Sequence, residues 1–232
     1  MSLEVIPIRG IEEIRDGDDL VQILAKALSE SGVELAGGDI VVVTHKVVSK
    51  AEGAVVDIAH EAAHQALVED QAEAILRRRE GLVIAVTRHG FVCANAGVDR
   101  SNVGDGRAVL LPDDPDASAH RIRRGLEQAT GMRLGVVITD TFGRPWRRGL
   151  VDVAIGVSGL PAILDLRGTP DMFGRILQAT EVALADEIAA AADLVMGKSS
   201  GIPAVVVRGL GSLSGDGKAR DLIRPPAEDF FR

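Results

Sequence analysis

Leu82-Val83-Ile84-Ala85-Val86-Thr87, followed across Arg88-His89-Gly90 by Phe91-Val92-Cys93-Ala94, decides the class of fold. Two short apolar runs separated by a turn containing glycine read as a β-hairpin. A hairpin pairs consecutive strands antiparallel, whereas a doubly wound protein joins parallel strands through helices. Around it, residues 3–8 alternate as a strand, and residues 40–44, after the turn Gly37-Gly38-Asp39, form an apolar one. Leu20, Ile23, Leu24, Ala27 and Leu28 recur at helical spacing behind the N-cap candidates Asp18 and Asp19. The pattern further predicts a longer helix over 58–79 ended by Gly81, a helix over 118–130, strands over 134–138, 151–157 and 203–207, and an alanine-rich helix over about 180–193. Helices and strands at uneven spacing, with a hairpin among them, predict an α+β fold of mixed sheets. There is no internal repeat, low-complexity tract or linker, so residues 1–232 read as a single domain.

Composition narrows the function. Against 34 acidic residues stand 26 lysines and arginines, a net charge of −8. Such a chain is repelled by nucleic acid and by anionic membranes. With 3% aromatics and no tyrosine it also offers few platforms for stacking bases. The apolar runs are too short to span a bilayer, and the N-terminus shows no export signal. A lone cysteine, Cys93, suits a reducing compartment, so a cytoplasmic location is expected. An acidic protein handles anionic substrates through local cations, which directs attention to arginines near paired carboxylates.

Ile138-Thr139-Asp140-Thr141-Phe142-Gly143-Arg144-Pro145-Trp146-Arg147-Arg148-Gly149 is the sharpest such feature. An apolar strand delivers a carboxylate and two hydroxyls at its end, followed by three arginines. Hard cations take oxygen ligands, and arginines pair with phosphate or carboxylate oxygens, so the combination suits metal-assisted phosphoryl chemistry. A capping aspartate beside a solvated basic loop would use the same letters. In the glycine-rich loop beyond Asn95, Asp99 and Asn102 stand three apart after a strand. Alone they read as turn residues satisfying their own backbone; with Asp140 they form a second carboxylate loop able to share one cation.

Other features carry less. Ala192-Asp193-Leu194-Val195-Met196-Gly197-Lys198-Ser199 resembles a loosened phosphate-binding loop, but a helix precedes it and a strand follows, the reverse of the order a P-loop needs. Lys198 and its neighbours remain possible nucleotide contacts. The glycines at 209, 211, 215 and 217 have the wrong spacing for a dinucleotide fingerprint and read as a loop. His60 and His64, four apart, lack a third zinc ligand and read as a solvated helix face. Lys46 and Lys50 read as surface lysines past a strand.

Taken in order, these stretches resemble the coenzyme F420:gamma-glutamyl ligase family, known as CofE, and the N-terminal half of its two-domain relatives. The resemblance runs through 38–44, 47–53, 95–103, Leu110-Leu111-Pro112, Asp114-Pro115-Asp116, 138–149, Ala154-Ile155-Gly156, 185–189, Met196-Gly197 and 205–209, nearly the whole chain. It implies a homodimer that ligates L-glutamate to F420-0 at the expense of GTP, giving F420-1 and then F420-2. It implies Mg2+ or Mn2+, with K+ as a further candidate, and Asp99, Asp140 and Thr141 as metal ligands. The implied GTP contacts are Ile11, Glu12, Glu13, Ile14, Lys50 and Asn102, with Leu194, Val195, Met196, Gly197, Lys198, Ser199, Ser200 and Gly201. His45 stands beside the nucleotide where relatives often carry serine, and Lys198 where some archaeal relatives have an acid. The flavin-binding reductase-like domain of the fused relatives is not expected. Arg144, Arg147 and Arg148 are the candidates for holding the anionic precursor or its acyl phosphate during catalysis. Two rivals use the same loops: a metal-dependent GTP phosphohydrolase, and a non-catalytic GTP-binding protein.

Overall fold

A computed structural model describes residues 2–211, 213 and 215–230. In chain order the elements are β1 (Glu4–Ile8), α1 (Leu20–Glu30), β2 (Ile40–Thr44), α2 (His45–Ala51), β3 (Val55–Asp57), α3 (Glu61–Gln71), β4 (Ala72–Arg79), β5 (Leu82–Thr87) and β6 (Val92–Ala94). They continue with β7 (Arg107–Val109), α4 (Pro115–Thr130), β8 (Gly135–Arg144), β9 (Arg147–Ser158), β10 (Leu164–Asp165), β11 (Glu181–Val182), α5 (Leu184–Met196) and β12 (Ala204–Arg208). The fold is mixed α+β, as the hairpin predicts. Of the single domain read over 1–232 and the loop read over 209–217, residues 1, 212, 214, 231 and 232 lie outside the described residues.

The principal sheet has the order β1-β12-β2-β8-β9, and only the β2–β8 pair is parallel. Its centre is aliphatic on both faces: Val41, Val42, Val43, Val136, Val137, Ile138, Val205, Val206 and Val207 are fully buried. That is why these strands read as continuous apolar runs rather than as alternation. Helices α4 and α5 pack on β9, and α1 packs on α4. Asp39, 2% exposed, is gripped by Arg208 Nε at 2.9 Å and Nη2 at 2.6 Å, which ties the start of β2 to the end of β12. A second apolar cluster, around Ile58, Val68, Val83, Ala85, Ala96, Val98 and Ala108, lies beneath the small sheet β4-β5-β6.

Several boundaries differ from expectation. The helix expected over 58–79 ends at Gln71, and Ala72–Arg79 is instead a strand paired antiparallel with β5. Alanine, glutamate, leucine and arginine favour helix locally, but the unpaired edge of β5 offers a ladder that outweighs that weak preference. Helix α4 begins at Pro115 rather than 118, because the Asp114 side chain accepts from the Ala117 N–H at 2.9 Å and proline suits the first turn. Helix α5 starts at Leu184 because β11 occupies the residues before it. The strand expected to stop at 138 runs on to Arg144 and turns through Pro145-Trp146 into β9, so the arginines belong to a hairpin and not to a loop. Trp146 sits at φ +58° in that turn.

Candidate active site

Strands β2 and β8 run parallel, with Thr44, the last residue of β2, level with Thr139, and β8 continues beyond it to Arg144. Helix α2 leaves directly from β2 and carries His45, Lys46 and Lys50 along this edge. Ile11, Glu12, Glu13 and Ile14 approach from the segment between β1 and α1, Asn102 from the loop after β6, and Met196 to Gly201 from the end of α5. Together they line a cleft of about 580 Å³, whose wall also includes Thr44, Lys46, Asp152 and Asp193. Lys50, 8% exposed, meets Glu13 Oε1 at 2.5 Å, joining two of the predicted nucleotide segments.

The predicted metal residues lie beside this cleft and do not line it. Asp140 is on β8, with its Oδ1 3.2 Å from Nε2 of the fully buried His45. Burial pushes the Asp140 carboxyl up, but its interactions with the His45 ring and the Thr141 N–H outweigh this and hold the group below its ordinary value. The charge of Asp99 acts on Asp140 in the opposite sense, so the two carboxylates feel one another. Asp99 Oδ2 is 2.7 Å from Lys46 Nζ, and its Oδ1 accepts the Ser101 N–H at 2.6 Å. Burial raises the Asp99 carboxyl as well; Lys46 and Ser101 bring it below the usual value. The turn reading of Asp99 is therefore correct locally, and its charge still faces Asp140.

Thr141 follows Asp140 on the strand, so the pleat sends it the other way. Its hydroxyl donates to Asp152 on β9 and accepts from Lys198. The structure thus separates the side chains of Asp140 and Thr141 onto opposite faces of β8. Among the described residues no three His, Cys, Asp or Glu side chains gather into a metal-ligand set. What is present is the carboxylate pair Asp99 and Asp140, oxygen donors of the kind that hard cations take while keeping several waters, with the Thr141 hydroxyl turned to the other face.

Arg144, Arg147 and Arg148 stand outside the cleft at the β8–β9 turn, where Arg144 Nη2 donates to the Arg148 carbonyl at 2.7 Å. His45, Leu194 and Val195 do not line the cleft either, and Leu194 is 88% exposed. Asp152 lines the cleft without any motif to mark it, and Asp193 appears in the sequence pattern only as part of the run 192–199. A lone carboxylate inside the apolar run Val151–Val157, opposite Thr-Asp-Thr, was the available signal for Asp152.

A concave cleft beyond the end of β2, lined by the buried Asp152 and Lys50 together with Lys46, Asp193 and Lys198, defines a small-molecule enzyme site. Residues 9–209 match the family described as F420-0:Gamma-glutamyl ligase. The chain is 45% identical over its whole length to the coenzyme F420:L-glutamate ligase of Methanothermobacter thermautotrophicus, covering 100% of that protein. It is 42% identical to the proteins of the same name from Methanopyrus kandleri and Methanocaldococcus jannaschii, covering 98% and 96% of them. The chain belongs to the F420-0:gamma-glutamyl ligase family, and it is an enzyme. Among the described residues no helix is long and apolar enough to cross a membrane.

Proposed function

We propose that the chain joins L-glutamate to coenzyme F420-0, giving F420-1 and then F420-2, with GTP converted to GDP and phosphate. The observation that carries the nucleotide part is the convergence of residues 11–14, Lys50, Asn102 and 196–201 on one cleft. A free carboxylate does not form an amide unaided. Transfer of the γ-phosphoryl group to the F420-0 carboxylate creates an acyl phosphate, and attack by the glutamate amine, after loss of a proton, expels inorganic phosphate.

Each residue has a task in this scheme. Lys46 and Lys50 from helix α2, and Lys198 from beyond the end of α5, neutralise the phosphates. Asp99 and Asp140 would hold Mg2+ or Mn2+, which would supply charge neutralisation at the transferring phosphoryl group, whereas the Thr141 hydroxyl is turned away from them towards Asp152 and Lys198. Arg144, Arg147 and Arg148 hold the anionic precursor from the hairpin beside the cleft. The active species is proposed to be a homodimer, the commonest symmetric assembly.

The test is purified protein with F420-0, L-glutamate, Mn2+ and either GTP or ATP, with the deazaflavin read by mass spectrometry. The expected result is a product heavier by one and then two glutamyl residues, formed far faster with GTP than with ATP. GTP cleavage at the same rate without acceptor or glutamate would identify a phosphohydrolase instead. Equal rates with both nucleotides would remove the GTP assignment.

A further inference from the structure

The β8–β9 hairpin leads outward from the cleft. Thr141 pairs with Asp152, which lines the cleft, and one step further along the same face Gly143 pairs with Leu150. Leu150 is 66% exposed, and a side chain on Gly143 would meet nothing within 4 Å, so this strip is open and apolar. Beyond it come the exposed Arg147 and Arg148 and then the turn at Pro145-Trp146. At the rise of an antiparallel strand the turn stands roughly 15 Å from Asp152.

Trp146 is an unexpected residue for that turn. It is the second central position between the paired Arg144 and Arg147, with φ at +58°. Glycine and asparagine adopt this conformation readily, whereas a bulky side chain there is an outlier. Burial gives little in return, because Trp146 is 79% exposed. A strained residue that holds a large flat apolar side chain out in water, beside a substrate cleft, points to a ligand that covers it.

F420-0 matches the hairpin in shape and charge. Its flat deazaflavin ring and its reacting carboxylate lie at opposite ends of the molecule, with a phosphodiester between them. With the carboxylate at the cleft, the phosphodiester passes the arginines and the ring reaches the turn. In a chain of net charge −8, three arginines around one turn make a locally cationic site that suits this anion.

We infer that the tip of the β8–β9 hairpin is the subsite for the deazaflavin ring, with the indole of Trp146 stacked on the ring and the open Gly143 and Leu150 strip leading from it to the cleft. This rests on the reaction proposed above and adds the residue that selects its flat substrate.

The test compares the wild type, Trp146→Gly and Trp146→Phe in the ligation assay. Glycine suits the turn, so Trp146→Gly removes the indole while the fold is kept, which melting temperature checks. It is expected to raise KM for F420-0 roughly tenfold, as loss of one stacked ring does, and to leave KM for GTP within about twofold. Trp146→Phe should recover most of the loss. Trp146 is the sole tryptophan, so acrylamide quenching of the protein emission reads this side chain alone. The indole should be open to acrylamide in the free protein and protected by F420-0. An unchanged KM for F420-0 in Trp146→Gly overturns this proposal alone. So does an indole already shielded in the free protein, which would show that a second copy of the chain covers the turn. A wild-type chain that does not glutamylate F420-0 overturns the ligase reading and this proposal together.

Discussion

Lys46 Nζ and Asp99 Oδ2 are 2.7 Å apart, so the carboxylate assigned to a cation already has one, tethered to helix α2. A metal ion reaching Asp99 has to compete with that ammonium. Lys46→Met is therefore expected to tighten Mn2+ binding to the nucleotide-free protein, by roughly threefold or more given the usual strength of a close charge pair near a surface. Titration followed by paramagnetic resonance reads this directly. Unchanged affinity would mean that Asp99 is not a ligand in the free protein.

Asp99→Asn and Asp140→Asn keep the shape of each side chain and remove its charge. Both are expected to cut ligation by at least about a hundredfold at limiting Mn2+, the upper range for damage to a metal site. The metal-free fold should survive. A variant that melts early yet turns over normally at saturating Mn2+ would show a structural residue.

Cys93 offers a pH test away from the cleft. Burial and then the nearby Asp140 charge raise its thiol from 9.0 to about 12. Three pKa units make the thiolate about a thousandfold scarcer at pH 8, so alkylation of the native protein should be slower by at least that factor than in urea. The sign for stability follows from the proton. The folded state keeps it more tightly than the unfolded one, so this contribution is present below pH 9.0 and is lost as pH rises towards about 12. Cys93→Ser should flatten the alkaline limb of a melting-temperature profile.

Arg208→Ala would strand the buried carboxylate of Asp39, which then keeps only the Ala36 N–H at 2.8 Å. Removing one partner of a buried pair costs about 3 to 5 kcal/mol, and the partial exposure of Arg208 lowers that to about 2 to 3 kcal/mol. The melting temperature should fall by roughly 4 to 12 °C for a chain of this size. Arg208→Lys should recover little, since one ammonium cannot replace a two-point grip.

How far the sequence could be read depends on where the deciding energy lies. Asp19 is an N-cap in the structure, accepting from the Gln22 N–H at 3.1 Å, because capping is settled within one turn of chain. The β5–β6 hairpin is local in the same way. Strand β4 was hidden, since its conformation is imposed by pairing and its own residues favour helix. Of the cleft-lining segments, residues 11–14 and Lys50 follow from the family resemblance alone, whereas Lys198 and its neighbours also carry the loosened phosphate-loop pattern. Asp152 was hidden for a further reason: its meaning depends on the Thr141↔Asp152 register, which no run of letters displays.

The walls of the cleft are drawn from Ile11 at one end of the chain and Pro203 near the other. A nascent polypeptide therefore has no complete pocket until Pro203 has emerged from the ribosome. Ligand recognition becomes a property of the finished molecule, and a ligand that bridges those walls acts as a late clasp on folding. Truncated or stalled chains would be blind to it, so its presence in the cell would selectively protect completed copies from proteolysis.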